Sequence, residues 1–143
     1  MRLAALLLII LTITPMTEAF AQQFSEGQIW NYRTRSEEAA STFLINKIEV
    51  ETELGEVYHI SVFSVQVKNQ HAPGSVSTEL PHIPVSRTTL ELSVTTLVGQ
   101  SPANPDYVEG YATWREAYQA GSAGTFTVPV AEIIGFIEST LNQ

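Results

Sequence analysis

The stretch EVYHISVFSVQVK, residues 56–68, decides how the rest of the chain is read. Its β-branched and aromatic residues recur at the two-residue period of a strand. Tyr58, Ile60 and Val62 are apolar on even numbers, whereas Phe63, Val65 and Val67 are apolar on odd ones. One extra residue in a strand turns every later side chain to the opposite face. The change of parity therefore predicts a bulge near Val62 to Ser64, or a central strand buried on both faces at one end.

The segments on the N-terminal side extend this strand into a sheet. Leu54-Gly55 is a turn, and STFLINKIEVE (residues 41–51) is a second strand. Leu44, Ile48 and Val50 are expected on its inner face with Asn46 interrupting, and Lys47, Glu49 and Glu51 are expected to point outward. A polar turn at residues 36–38 separates it from QIWNYRT (residues 28–34), a strand with Trp30, Tyr32 and Thr34 on one face. Strands joined by short polar turns make an antiparallel meander. Arg33 and Arg35 on the other face read as charge protecting an edge.

Beyond Lys68 the pattern changes. Residues 69–85, NQHAPGSVSTELPHIPV, hold three prolines and two of the three histidines and read as one long irregular loop. Structureless loops beyond about 12–15 residues are uncommon and often functional. Three helices follow. Ser86 caps the first, in which Leu90, Val94, Leu97 and Val98 recur at helical spacing until Gly99. Asn104 or Asp106 caps the second, which opens with Pro105 and runs to Ala120. The third opens after Val128-Pro129 and carries the stripe Val130, Ile133, Ile134, Ile137 and Leu141. GTFT, residues 124–127, has the character of a short fourth strand. The expected fold is α+β: an N-terminal antiparallel meander with helices packed on one face.

The N-terminus has a separate role. Arg2 precedes an apolar run at residues 3–13, Thr14-Pro15 ends it, and Ala19-Phe20-Ala21 is an A-x-A pattern. These are the parts of a secretory signal peptide, with cleavage expected after Ala21, or after Ala19 as the second choice. A membrane span needs about 20 apolar residues, more than this run supplies. The chain has no cysteine, which excludes a lipid-modified N-terminal Cys, disulfides and a Cys nucleophile. No paired arginines precede the run, so the general secretory route to the periplasm or the exterior is expected. One domain, residues 22–143, remains.

Arg2 and Glu18 cancel, so the net charge stays at -8 without the signal. Such an acidic domain is a poor match for nucleic acid or for an anionic membrane surface. It permits a basic protein partner in the envelope.

The chemistry-bearing residues fall into two groups. His71 and His82 share the 69–85 segment with Glu79, a set able to contact a ligand, although the spacing fits no compact metal motif. Tyr107, Tyr111, Trp114 and Tyr118 lie at offsets of four, three and four, one stripe of the second helix. An exposed stripe of this kind stacks sugars or grips partners; a buried one packs on a sheet, with Trp30 and Tyr32 as natural neighbours. His59, mid-strand beside Ser61, reads as an ordinary sheet histidine. G-x-S-x-G, H-E-x-x-H, the P-loop and G-x-G-x-x-G are all absent.

The runs GQIWNYRTR, STFLINKIE, LGEVYHISV, STELPHIPVSRTTLELSV and DYVEGYATWREAY together resemble a group of small exported bacterial proteins of uncharacterised function. The resemblance spans residues 27–137. It implies a bacterial source and one compact domain, and it transfers no catalytic or binding residue. The leading expectation is a non-enzymatic binding or interaction protein without a cofactor. The alternative is a small hydrolase or small-ligand-binding protein that uses His71, Glu79 and His82 with Tyr111, Trp114 and Tyr118.

Overall fold

The computed structural model describes residues 21–143. The expected export signal, residues 1–21, lies outside the described residues except for Ala21. The order of elements is β1 (Gln28–Tyr32), β2 (Thr42–Glu51), β3 (Gly55–Lys68), β4 (Val76–Ser86), α1 (Arg87–Ser93), β5 (Val94–Gln100), α2 (Tyr107–Gln119) and α3 (Val130–Leu141). The class is α+β. One antiparallel sheet of five strands has the order β4-β3-β2-β1-β5.

The parity change in β3 is a bulge. Ser64 has a φ of 56°, and the pairing with β4 shifts between Phe63 and Val67. In consequence Tyr58, Ile60 and Val62 join Val65 and Val67 in one apolar core. β2 has its own irregularity between Ile45 and Lys47. Phe43 and Ile45 therefore face the core before Asn46, and Ile48 packs against it afterwards. This corrects the inner face expected for β2. Leu44 is buried on the opposite side of the sheet, and Val50 is 77% exposed.

Two elements differ from the sequence reading. The 69–85 loop is mostly β4, and only residues 69–75 connect it to β3. Prolines are tolerated on an edge strand when their missing N–H faces outward. Pro84 meets that condition: its carbonyl faces out of the sheet and accepts from Phe126 N at 3.0 Å, and its nitrogen lies on the same side. Phe126 also bridges Val85, and this is what the short strand at 124–127 amounts to. The first helix stops at Ser93 rather than Gly99. Ser86 caps it by accepting from Thr89 N at 3.3 Å. From Val94 the β-branched run VTTLV pairs with the free side of β1, which satisfies its backbone better than a Thr-rich helix end would. β1 is thereby an interior strand. Arg33 reaches the carbonyl of Leu92 at 3.1 Å rather than guarding an edge.

The helices cover both faces of the sheet. Leu90 of α1 and Val130, Ile133 and Ile134 of α3 complete the core on the Tyr58–Ile60 side. α2 lies on the other side, against β3 and β4. Trp30 and Tyr32 are therefore separated from the aromatic stripe of α2 by the sheet, and pack on Phe24 and Phe43 respectively.

The parity of β2 has a measurable consequence. Ile45→Ala is expected to cost about 2–4 kcal/mol, the range for emptying a closed core position. Val50→Ala should cost less than about 0.5 kcal/mol. Denaturant unfolding of the two variants compares them directly, and the opposite ranking would return the core to the even-numbered side of β2.

Candidate functional site

The face beneath α2 gathers most of the polar side chains buried in the sheet. The β2–β3 hairpin register pairs Lys47 with His59 and Glu49 with Val57, so Glu49 and His59 are diagonal neighbours. On β4 the pairing shifts between Ile60↔Ile83 and Val62↔Leu80, leaving Pro81 and His82 opposite Ser61 alone. Before that shift His59 pairs with Pro84, so His82 is its diagonal neighbour on β4. The rings stack with centroids 5.1 Å apart and an angle of 17°.

Three side chains form a directed chain. His59 Nε2 lies 2.8 Å from Glu49 Oε1, and His59 Nδ1 lies 2.9 Å from His82 Nε2. A carboxylate only accepts, so His59 donates from Nε2. A neutral imidazole has one N–H, so His59 Nδ1 accepts from His82 Nε2. His82 Nδ1 is left with a lone pair. His59 is wholly buried. Burial pushes its pKa below the ordinary histidine value against the pull of Glu49. Burial, with repulsion from His59, lowers His82 to about 4. Both rings are neutral at pH 7. Glu49 also accepts from Tyr111 at 3.1 Å and lies 3.8 Å from Arg115, whose guanidinium pairs with Glu51.

α2 closes this cluster with its aromatic stripe. Tyr111 and Trp114 each meet His59 edge-on at 4.8 Å, and Tyr118 stacks on Trp114 at 5.2 Å. Trp114 Nε1 donates to the carbonyl of Gly124 at 2.8 Å. The stripe therefore lies against the sheet instead of presenting a bare platform. Gly110 sets the approach: a Cβ there would come 2.7 Å from the Cβ of His82.

A second network sits alongside. Ser61 Oγ donates to the carbonyl of Pro81 at 2.6 Å and accepts from Asn46 at 2.8 Å and Asn104 at 3.2 Å. Its proton goes to a carbonyl and not to an imidazole, so the hydroxyl is not primed as a nucleophile. Asn104 also donates to Glu79 at 2.6 Å, which moors the segment before α2.

The residues singled out in the sequence thus separate. His71 lies exposed in the turn between β3 and β4, Glu79 belongs to the Asn104 network, and His82 belongs to the histidine pair. Tyr111, Trp114 and Tyr118 do come together, over His59. By sequence alone Glu49 is a solvent-facing glutamate and His59 an ordinary sheet histidine. The signal that could have joined them is hairpin arithmetic, since a turn at residues 52–54 sets 49 diagonally from 59. Among the described residues no group of three or more His, Cys, Asp or Glu is placed to hold a metal, and no helix is long and apolar enough to cross a membrane.

Fold and site together define a cysteine-free α+β domain whose ionisable centre is closed under a helix. No protein-family model, curated protein or solved structure matches the chain.

Two outcomes follow from this packing. Gly→Ala in an exposed helix interior stabilises by about 1 kcal/mol. Gly110→Ala should instead destabilise, by about 1–3 kcal/mol, because overpacking against His82 outweighs the propensity gain; the sign of the change in thermal midpoint decides. The second outcome concerns pH. The unfolded chain binds protons at His82 near the ordinary pKa of about 6.5, whereas the folded chain does so only near 4. Stability should therefore fall as pH drops from 6.5 toward 4, by about 2–3 kcal/mol from this residue. Calorimetry between these pH values should show a shallower slope for His82→Gln than for the parental protein.

Proposed function

We propose that this chain is an exported, non-enzymatic binding protein of the bacterial envelope. One contrast carries the reading. Glu49, His59 and His82 are bonded to one another beneath α2, while the outer edge of β5 stands open. Among the described residues β5 pairs with β1 alone, and Leu97 and Val98 on it are 45% and 49% exposed. Sheet edges with exposed apolar residues and no charge are templates for another strand. Export is supported by the signal-peptide pattern of residues 1–21.

A second reading has one observation behind it. His82 borders an open groove of about 400 Å³ with Pro81, Asp106, Glu109, Gly110 and Thr113. A small hydrogen-bond donor could be held there by the lone pair on Nδ1.

Co-expression of tagged and untagged copies, cross-linking and recovery from an envelope extract tests the binding reading. The recovered chain should begin at Gln22 by intact mass and should bring a stoichiometric protein, either the untagged copy or another chain. The double substitution L97K/V98K should abolish that recovery. Purification of the tagged chain alone would sink the binding reading, and retention of residues 1–21 would sink export.

A further inference from the structure

We propose that the occupant of the β5 edge is the β5 strand of a second copy of this chain, paired antiparallel about a two-fold axis. The inference rests on the reading of β5 as a binding edge and names its partner.

The two edges of the sheet are unlike. β4 carries Pro81 and Pro84, and its outer side is partly used by Phe126. Prolines and covering segments are devices that keep an edge from pairing. β5 reads VTTLVGQ, with no proline, no lysine and no ionisable side chain. Its pairing with β1 is irregular between Ile29 and Trp30 and between Trp30 and Tyr32. Bulges often protect an edge. On β5 Leu97 and Val98 are exposed all the same, with no charge beside them on the strand.

Charge selects the partner. A basic protein would need carboxylates at the edge, and β5 has none. The neighbouring Glu91 of α1 is paired with Arg87 at 2.8 Å. Two copies that each carry a net charge of -8 repel, so they can meet closely only where the surface is neutral. β5 meets that requirement. Its side chains also suit their own copy. A two-fold centred on Leu97 sets Leu97 against the second copy's Leu97 and Thr96 against the second copy's Val98, apolar and β-branched pairs that stabilise a sheet. An isologous contact of this kind closes after two copies and extends the sheet to ten strands. Two seven-residue strands bury less than the roughly 1,200 Å² at the lower limit of standard interfaces. The dimer is therefore weak and dependent on concentration.

The absence of cysteine gives a direct test. Leu97→Cys should form a disulfide-linked dimer about tenfold faster or more than Val50→Cys, an exposed position on another strand. Sedimentation equilibrium of the parental protein should move from monomer toward dimer mass as concentration rises, and L97K/V98K should weaken that association by about tenfold or more. Leu97 and Val98 are already exposed, so these variants keep the fold, which circular dichroism checks. Monomer mass throughout, or equal cross-linking at both positions, overturns the second copy as occupant. A dimer that survives L97K/V98K does so equally, because it places the interface elsewhere. If the chain stays monomeric while recovery from the envelope brings a different protein that L97K/V98K releases, the binding function stands and only its partner changes.

Discussion

An imidazole enclosed at the middle of a sheet has two demands that must be met together. It has to keep its hydrogen bonds, because unpaired buried polar groups are costly, and it has to give up its charge, because burial disfavours the ionised form. His59 meets the first through Glu49 and His82, at 2.8 and 2.9 Å. The arrangement around it follows. His82 reaches His59 because the β3–β4 register pairs His59 with Pro84, two residues from His82 on the same face. α2 can close over the pair only because position 110 has no side chain to strike His82. The aromatic stripe supplies the apolar cover, and Tyr111 adds a donor to the carboxylate that His59 leans on.

The opposite face of the sheet is built on a different principle. There the core is mainly apolar, with a few buried hydroxyls such as Ser41 and Ser93 bonded at its margin, and its continuity depends on irregularities in β2 and β3 that return Ile48 and Val65 to the inside. A charged clasp holds its margin. Glu38 is almost fully buried, yet its carboxylate takes hydrogen bonds from Arg35 at 2.6 Å and Gln66 N. These bonds and the guanidinium hold its pKa below the usual carboxylate range despite burial. Arg35 also reaches Glu138 on α3 at 3.3 Å, so one guanidinium ties the β1–β2 connection to the last helix. Breaking such a buried group out of its pairing is costly, which makes the clasp a structural fixture.

Much of the local structure was legible because it depends on neighbours in sequence. The bulge near Ser64 follows from the switch of apolar parity in β3. The Ser86 cap, the start of α2 after Pro105 and the stripe of α3 follow from the same kind of local pattern. The misread segments are those whose state depends on position in the sheet. Pro81 and Pro84 signal a loop unless the strand is known to be an edge, and VTTLV is compatible with a helix end until the vacant side of β1 competes for it.

The sequence by itself determined the class of this domain, its cysteine-free composition, its acidity and the spacing that keeps Tyr111, Trp114 and Tyr118 on one stripe. Hydrophobic period, turn residues and charge are properties of short windows. The tertiary structure alone decided what those side chains touch. Whether α2 lay on the same face as α3 could not be read from either helix, since each carries a stripe suited to a sheet. Only the registers of β2 and β4 on β3 and the placement of α2 on the second face brought Glu49, His59 and His82 together. Those contacts link strands and a helix far apart in sequence, and no local period encodes them.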